Sequence, residues 1–334
     1  MKATIKDVAK IAEVSLATVS RVINNKTKGS MSEKTKQKVL RAIQQLDYTP
    51  DTRAQSLRGI KTGLIGVVIP EASSSYYQEL SHAIMNVCYK QGFGVLTCSS
   101  ENDVRRELFY IDFLQRQKVD GIIIISERLK AQKVNDLIRK EIPIVLLDED
   151  IPGTEAPAVV TDYYKGASKA VQYLIDLGHR KIAFIKGRMT TPSTKKRLEG
   201  YVDTLRKNNL RIDNILIKQG DFSYKSGYEA TKQLLKDCGD AFTAIFCSCD
   251  LMAFGAIQCI RDMGKCVPSD YSVVGFDNTY YSTISVPPLT TVAQPNLELV
   301  RMAFDLIKKW TREKESRHFS CEPRLITRES CRKL

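Results

Sequence analysis

The sequence has few of the residues from which metal centres are built. Only three histidines occur in 334 residues. The sequence has nine cysteines, an odd number: Cys88, Cys98, Cys238, Cys247, Cys249, Cys259, Cys266, Cys321 and Cys331. None of them form a CxxC pair. The short cysteine and histidine spacings of zinc sites are missing, so we expect no metal site. Scattered free thiols are typical of a reducing compartment.

Long apolar runs are missing as well. The first residues, MKATIKDVAK, contain no apolar signal core, and no stretch approaches the ~20 apolar residues of a membrane span. We therefore predict a soluble, cytoplasmic protein without membrane contact.

The usual motifs of nucleotide-binding and hydrolytic enzymes are missing too. There is no GxGxxG after a strand, no GxxxxGK[ST] phosphate loop and no GxSxG elbow. His82, His179 and His318 are far apart in the sequence, and His179 lies in an LGHRK turn typical of packing. A sugar- or nucleotide-metabolising enzyme is therefore disfavoured, and no cofactor is expected.

Positive charge is concentrated at the start of the chain. Residues 1–61 contain 13 Lys and Arg against 5 Asp and Glu, whereas the other residues contain 38 against 33. A basic cluster is the electrostatic footprint of nucleic-acid binding, although a solvated lysine-rich face is the alternative.

The same segment predicts three short helices. Apolar residues recur at helical spacing, and Ser15 and Ser32 can cap the second and third helices. The predicted inward residues are Ile5, Val8, Ala9, Ala12, Val19, Val22, Ile23, Val39, Leu40, Ile43 and Leu46. The second helix then presents Leu16, Ala17, Ser20 and Arg21 outward, a face suited to the major groove of DNA. We predict a helix-turn-helix DNA-binding domain over residues 1–49.

Residues 50–61 predict a hinge helix or linker. Pro50 suits a first helical position and Gly59 a helix end, with Thr49 as the cap. A helix of fewer than ~12 residues is marginal alone, so this segment folds only when something stabilises it.

From Gly63 onward, buried apolar runs alternate with amphipathic helices in two consecutive series. The strands are predicted at 64–70, 94–99, 121–126, 143–150 and 158–162, and then at 181–187, 215–222, 244–249, 272–277 and 323–330. The pattern predicts an α/β fold of two doubly wound parallel-sheet subdomains with a ligand cleft between them. We place the first subdomain at 62–161 plus 292–322 and the second at 162–291 plus 323–334, because a strand and helix near 290–310 can return to the first.

Blocks along the whole chain resemble the lactose/galactose repressor (LacI/GalR) family. The head carries IKDVAKIAEVSLATVSRVIN and SEKTKQKVLRAIQQLDYTP, and the hinge carries TRAQSLRG. The body adds LIDLGHRKIAFIKG, KKRLEGY, GDFSYKSGYEA, CDLMAFGA, VPSDYSVVGFDNT, PPLTTVAQP and PRLITRES in family order. The resemblance implies a periplasmic-binding-protein-like core and a transcriptional regulator, in most cases a repressor.

The resemblance also implies DNA contacts. Leu16, Ala17 and Arg21 would read base edges, with Ser20 on the same helix face, and Thr4, Ser15 and Asn24 would contact phosphates. Arg53, Ala54 and Leu57 would contact DNA from the hinge, with Leu57 wedged into the minor groove. Packing inside the protein is the alternative for Leu16 and Leu57. Asp51 departs from the family, which usually has Asn there.

In the cleft, the resemblance implies effector contacts by Tyr77, Asp148, Ser193, Arg197, Phe222 and Asp277. Alternatively, Asp277 caps a loop, Arg197 pairs with Asp277, and Phe222 is a core residue. Cys249 stands where sugar-responsive relatives often have Asn, and Thr191 where purine-responsive relatives have Arg. A sugar or sugar phosphate is the expected effector, with a purine as the less favoured class.

The expected partners are thus a palindromic operator, a small-molecule effector and a second copy of the chain. A transport binding protein of the same cleft fold is disfavoured, because it would carry an export signal and no DNA-binding head. The final residues, ITRESCRKL, show no heptad pattern, so we expect a homodimer rather than a tetramer.

Overall fold

The computed structural model describes residues 3–23, 31–48, 61–140, 142–310 and 318–334. The chain divides into two compact units, Met1–Thr62 and Gly63–Leu334. Asn24 and the predicted hinge residues Asp51, Arg53, Ala54 and Leu57 lie outside the described residues.

The first unit contains three helices, α1 (Ile5–Ala12), α2 (Leu16–Ile23) and α3 (Glu33–Gln45). Both predicted serine caps are confirmed. The Ser15 hydroxyl accepts from the Thr18 backbone N–H at 3.1 Å, and the Ser32 hydroxyl accepts from that of Thr35 at 3.2 Å. These bonds satisfy backbone donors that have no partner within the helix.

The core of this unit is formed by small and β-branched side chains from all three helices: Val8, Ala9, Ala12, Val19, Val22, Val39 and Ala42. The prediction for α3 is wrong at one position, because Leu40 is exposed and Ala42 is buried instead. Ala42 packs in the shared core beside side chains of α1 and α2.

In the second unit, the described residues form two six-stranded sheets. The first contains β1 (Leu64–Ile69), β2 (Gly94–Ser99), β3 (Gly121–Ile124), β4 (Ile144–Leu147), β5 (Ala158–Thr161) and β11 (His318–Cys321), in the order β11-β5-β4-β3-β1-β2. All neighbouring strands in this sheet are parallel. The associated helices are α4 (Ser75–Lys90), α5 (Val104–Arg116), α6 (Ala131–Arg139) and α12 (Asn296–Lys308).

The second sheet contains β6 (Ile182–Lys186), β7 (Ile217–Gln219), β8 (Ala244–Cys247), β9 (Ser272–Asp277), β10 (Thr290–Ala293) and β12 (Arg324–Ile326), in the order β12-β10-β9-β8-β6-β7. Only the pairing of β12 with β10 is antiparallel within the described sheet. Its helices are α7 (Tyr163–Asp176), α8 (Pro192–Lys207), α9 (Tyr224–Cys238), α10 (Asp250–Asp262) and α11 (Tyr281–Ile284), and a 3-10 turn spans Asn214–Leu216.

The chain crosses between the two sheets near its C-terminal end. β10 pairs with β9 in the second sheet, whereas α12 packs its buried face into the core of the first sheet. We expected both a strand and a helix near 290–310 to return to the first subdomain, and this is wrong for the strand, β10. The predicted subdomain boundary at residue 292 therefore falls inside β10. β11, which no apolar run predicted, adds to the edge of the first sheet beside β5.

Candidate functional sites

The carboxyl ends of the two sheets enclose a polar cleft. Its open space, including the solvent at its mouth, is about 880 Å³. The cleft is lined by all six residues that the sequence singled out for effector contact: Tyr77, Asp148, Ser193, Arg197, Phe222 and Asp277. Parallel strands bring these distant residues together because each lies just beyond a strand or early in the helix that follows.

Asp148 is fixed by two tyrosines. It follows β4 with a φ of 72°, and its Oδ1 accepts from the hydroxyls of Tyr76 at 2.6 Å and Tyr163 at 2.5 Å. Only 4% of the residue is exposed. Burial raises the pKa of this carboxyl, and the two hydroxyl bonds oppose that rise. Asp148 is therefore a rigid part of the cleft wall.

Arg197 projects from α8 between two aromatic rings. Its guanidinium carbon lies 4.4 Å from the ring centroid of Tyr163 and 4.2 Å from that of Phe276. The Nη2 atom lies 4.0 Å from Oδ1 of Asp277. Pairing with Asp277, the alternative to a role of Arg197 in ligand binding, is thus present as a long ion pair. The buried Nε has no hydrogen-bond partner in the described part of the chain.

Asp277 ends β9 with a φ of 112° and belongs to a hydrogen-bond chain. Its Oδ1 accepts from Nε2 of Gln294 at 2.8 Å, and Oε1 of Gln294 accepts from the hydroxyl of Thr161 at 2.6 Å. The hydroxyl of Tyr76, which donates to Asp148, lies 3.2 Å from the same Oε1. Burial, followed by the charge of Asp250, raises the pKa of the Asp277 carboxyl well above its usual range. These hydrogen bonds connect the two halves of the cleft through Gln294.

The loop after β9 is anchored by Asp250. The sequence analysis gave Asp277 this loop-capping role as an alternative to effector binding. Oδ2 of Asp250 accepts from the backbone N–H of Thr279 at 2.7 Å and from its hydroxyl at 3.1 Å, and Oδ1 accepts from the hydroxyl of Thr291. Asp250 is fully buried, and burial raises the pKa of its carboxyl to about 7.

Ser193 connects α8 to the opposite half of the cleft. Its backbone N–H and its hydroxyl both donate to the carboxyl group of Glu149, the former at 3.2 Å. Burial and the neighbouring charge of Asp148 raise the pKa of Glu149 to about 8. A second contact between the halves is the ion pair of Arg188 with Glu127, at 3.0 Å.

Phe222 is half-buried and packs at the edge of a core cluster, so it is both a core residue and a wall of the cleft. A Cβ at position 187 would lie 2.1 Å from its ring, so the ring position requires glycine there. Tyr77 is also half-buried, and its ring centroid lies 5.2 Å from that of Tyr76. The two aromatic side chains supply flat surfaces to the cleft.

The Cys249 side chain caps α10. Its Sγ accepts from the backbone N–H of Met252 at 3.5 Å, and the thiol donates to the carbonyl of Phe222 at 3.5 Å. Burial raises the pKa of the thiol well above its usual range. The thiol therefore takes the capping place that Asn fills well, with a weaker hydrogen bond.

In the first unit, α2 presents an exposed face. Leu16 is 46% exposed, as expected for the outward face of α2 and unlike the alternative in which it packs inside the protein. Ala17 and Arg21 are also exposed, and Ser20 is half-buried. Thr4 donates through its backbone N–H and its hydroxyl to Asp7, at 2.8 and 2.7 Å.

No group of three or more His, Cys, Asp or Glu side chains in the described ranges is arranged to hold a metal ion. Among those same residues, no helix combines the length and the apolar character needed to cross a bilayer.

Two families match the chain. Residues 4–51 match "Bacterial regulatory proteins, lacI family", and residues 171–331 match "Periplasmic binding protein-like domain". The chain is 35% identical over 99% of both chains to the HTH-type transcriptional repressor PurR of Mannheimia succiniciproducens. It is 40% identical to the HTH-type transcriptional regulator DegA of Bacillus subtilis, over 90% of this chain and 88% of that one.

The chain belongs to the lacI family. It is a DNA-binding transcriptional regulator with an effector-binding core, and not an enzyme. Its structure is similar to that of the Lac repressor dimer bound to operator and the anti-inducer ONPF, with a TM-score of 0.85 and 30% identity over 99% of both chains. It is also similar to a LacI family regulator from Enterococcus faecium with bound ribose, with a TM-score of 0.72 and 30% identity over 81% of this chain and 99% of that one.

Sequence reasoning missed several polar residues of the cleft of this lacI-family regulator: Tyr76, Glu127, Glu149, Tyr163, Arg188 and Gln294. Each lies within a few residues of the carboxyl end of a strand or at the start of the next helix. That position is the signal that could have found them, since ligands of open α/β sheets bind at this edge.

Proposed function

We propose that this regulator is a homodimeric repressor whose affinity for a palindromic operator is set by a sugar-class effector in the cleft. The observation that carries the proposal is the convergence of six side chains, from strand ends and from the helices that follow them, on one cavity, in a chain that also has an exposed helix-turn-helix face. Two-fold symmetry of the dimer would be matched by two operator half-sites.

For the DNA contacts, we propose that Arg21 donates to a guanine while Leu16 and Ala17 contact thymine methyl groups. Thr4, Ser15 and Asn24 would contact phosphates, which fixes the register without selecting a sequence. Ser20 completes the reading face. Arg53, Ala54 and Leu57 would act from the hinge, at 50–61 between the head (1–49) and the core, with Leu57 unstacking a central base step.

For the effector, we propose contacts by Arg197, Asp277, Asp148 and Ser193, with Tyr77 and Phe222 against the apolar face of the ligand. Arg197 lines the cleft together with the carboxyl groups of Asp148 and Asp277, which can accept hydrogen bonds from ligand hydroxyls. Thr191 caps α8 and is fully buried, in the place where purine-responsive relatives have Arg, and this favours sugars over purines. The neighbouring regulator structures with bound ribose and with cellobiose support the same class.

Ligand binding would act by stabilising one relative orientation of the two halves of the cleft. In the dimer, binding of an inducer would move the first-sheet halves and with them the hinges, and so weaken operator binding. Binding of a corepressor would strengthen operator binding instead. A coupling of ~1–3 kcal/mol, about 5–150-fold in affinity, is sufficient for useful switching.

The test is fluorescence anisotropy with a labelled symmetric palindrome that has a central CG step and with a scrambled duplex of equal length. We expect tight binding to the palindrome that falls steeply with salt, and weak binding to the scrambled duplex. Equal affinity for the two duplexes, with the protein folded and dimeric, would contradict sequence-specific reading.

A further inference from the structure

The amino ends of the strands of the first sheet form an edge at which several loops meet. The Gly94 N–H donates to the Gly63 carbonyl at 2.8 Å, which joins the segments that lead into β2 and β1. The Gly63 N–H donates to Oδ2 of Asp120 at 2.8 Å, just before β3. The Ile122 N–H donates to the carbonyl of Pro143 at 2.8 Å, just before β4. Segments that are distant in the sequence thus lie side by side along this amino edge.

The segments that lead into the strands of this sheet are rich in positive charge. The segment 61–63 leads into β1, and the others run from the end of a helix to the next strand: 90–93, 116–120, 139–143 and 308–317. Together these segments contain 11 Lys and Arg against 4 Asp and Glu.

The second sheet shows that this excess is not a general property of the fold. The corresponding segments from a helix to the next strand are 176–181, 207–216, 238–243, 262–271 and 284–289. They contain 5 Lys and Arg against 5 Asp and Glu. Cations at the C-terminal ends of helices complement the helix dipole, but this effect acts on both sheets alike. The excess at the first sheet therefore calls for another explanation.

Much of this charge is not neutralised by the protein. Arg116 and Arg139 pair with carboxylates of their own helices. Lys308 donates to Oε1 of Gln91 at 3.1 Å, which places the end of α12 beside the segment before β2. Five exposed lysines have no carboxylate partner in the described part of the chain, and we call them the lysine edge: Lys61, Lys90, Lys140, Lys308 and Lys309.

The polypeptide enters the core at this same edge. Residues 50–61 lead from the DNA-binding head directly into Gly63 and β1. Covalent continuity therefore puts the amino edge at the core end of the linker, whereas the carboxyl edge lines the cleft. A DNA duplex carries one phosphate charge per ~1.7 Å of its axis, so it is the polyanion that a row of unpaired lysines in a DNA-binding protein fits.

We propose that the lysine edge is a further DNA-contacting surface, which binds backbone phosphates of the operator duplex outside the bases read by α2. The inference rests on the proposed operator binding by the head and does not involve the effector. Phosphate contacts position a protein on DNA without selecting a sequence. The lysine edge therefore raises the affinity for every duplex, and the head supplies the selection.

The first experiment removes charge from the lysine edge of the full-length protein. The triple variant Lys90→Gln, Lys140→Gln and Lys309→Gln changes exposed side chains only. Anisotropy is measured on duplexes that extend one helical turn beyond the palindrome on each side, and on scrambled duplexes of equal length. We expect the affinity for both duplexes to fall by about tenfold or more at low salt, and the slope of log affinity against log salt to shrink by about 1–3.

A matched control removes the same charge from the second sheet. The triple variant Lys181→Gln, Arg211→Gln and Lys236→Gln also changes exposed side chains only. We expect it to alter affinity by less than about twofold, because charges more than a Debye length from the duplex are screened. Circular dichroism and size-exclusion chromatography confirm that both variants keep the fold and the oligomeric state of the wild type. Equal effects of the two triple variants would overturn the proposal.

The second experiment needs no variant. The wild-type protein is acetylated briefly with and without the extended duplex, and the labelled lysines are quantified by mass spectrometry. We expect the duplex to slow acetylation of Lys90, Lys140 and Lys309 and to leave that of Lys181 and Lys236 unchanged. Edge lysines that react equally fast with and without DNA would overturn the proposal.

The two experiments separate this proposal from the proposed function. A protein that selects the palindrome, but whose edge variant behaves like the control, keeps the proposed function and overturns the role of the lysine edge. A protein whose edge lysines are protected by DNA, but which binds palindromic and scrambled duplexes equally, keeps the lysine edge and removes sequence-specific reading by the head.

Discussion

Arg188 donates to Glu127 at 3.0 Å and thereby connects the second-sheet half of the cleft to the first-sheet half. Two further contacts span the same gap: Ser193 donates to Glu149, and the backbone N–H of Tyr280 donates to Glu79 at 2.6 Å. The two halves are thus held together by direct polar contacts. A ligand adds to an arrangement that the protein already forms on its own.

The Arg188–Glu127 ion pair predicts that replacing one partner changes the free energy of unfolding more than replacing the other. The Glu127 side chain is 6% exposed and that of Arg188 is 28% exposed. Burial already raises the pKa of Glu127, and the charge of Arg188 opposes that rise. Arg188→Ala leaves a buried carboxyl group without its hydrogen-bond partner, and we expect it to lower the free energy of unfolding by about 1–3 kcal/mol. Glu127→Gln should change it by less than about 1 kcal/mol, because a neutral amide replaces the buried charge. Urea unfolding of the two variants checks this, and equal losses would contradict it.

Buried carboxyls predict that stability falls as pH rises. Burial raises the pKa of Glu149 to about 8 and that of Glu107 to about 7, from a usual value of 4.5. Between about pH 4.5 and 8, the folded state keeps protons that the unfolded chain releases, so the free energy of unfolding decreases across this window and levels off above it. We expect a decrease of more than about 1 kcal/mol from pH 5.5 to 8, since one pKa unit corresponds to about 1.4 kcal/mol.

Glu149→Gln should flatten the upper part of that profile and Glu107→Gln the lower part, whereas the exposed control Glu229→Gln should leave it unchanged. Urea unfolding at a series of pH values measures all four proteins. A wild-type profile that rises from pH 5.5 to 8, or Glu variants that follow it closely, would show that these carboxyls ionise freely.

The proposed base contact of Arg21 predicts that the variant Arg21→Ala discriminates less between DNA sequences. It is exposed on α2, so Arg21→Ala should leave the head folded. We expect operator affinity to fall by about 1–3 kcal/mol and discrimination to relax at one base pair. Lys10→Ala, also exposed, is the control: it should act on specific and scrambled DNA alike and reduce the salt dependence. Anisotropy on single-base operator variants separates the two. An equal loss on operator and scrambled DNA after Arg21→Ala would remove its reading role.

The cysteines predict a site-selective alkylation pattern. Cys266 is exposed, whereas Cys249 is 6% exposed and burial raises the pKa of its thiol well above the usual range. Because the thiolate is the reactive form, iodoacetamide should modify Cys266 first and reach Cys249 only after unfolding. Mass spectrometry of peptides after timed labelling measures this. Labelling of native Cys249 as fast as Cys266 would mean that its cap on α10 opens readily.

The regular elements were the most predictable part of this chain. Continuous apolar runs such as LIGVVI and SVVGFD became strands buried in the sheets, because only strands covered on both faces need such runs. β11 was missed, since HFSC at a sheet edge is mostly exposed and carries no such pattern. Leu40 was misplaced because helical spacing alone does not show how closely a neighbouring helix approaches.

The cleft was predictable only in outline. The six effector candidates came from a family resemblance, and the structure places them in one cavity. Their partners could not be read from spacing. Tyr76 and Tyr163 reach Asp148 across 72 and 15 residues of sequence, and Gln294 reaches Asp277 from the segment just after β10. Such contacts depend on the meeting of strand ends in three dimensions.

The most direct test of the account is a thermodynamic cycle with the sugar that binds. Operator affinity is measured by anisotropy with and without saturating sugar, and sugar affinity by calorimetry with and without saturating operator. If the cleft controls the DNA-binding head, both measurements must change by the same factor, which we expect to lie between about 5 and 150. A sugar that binds tightly in the cleft yet leaves operator affinity unchanged would contradict the central claim.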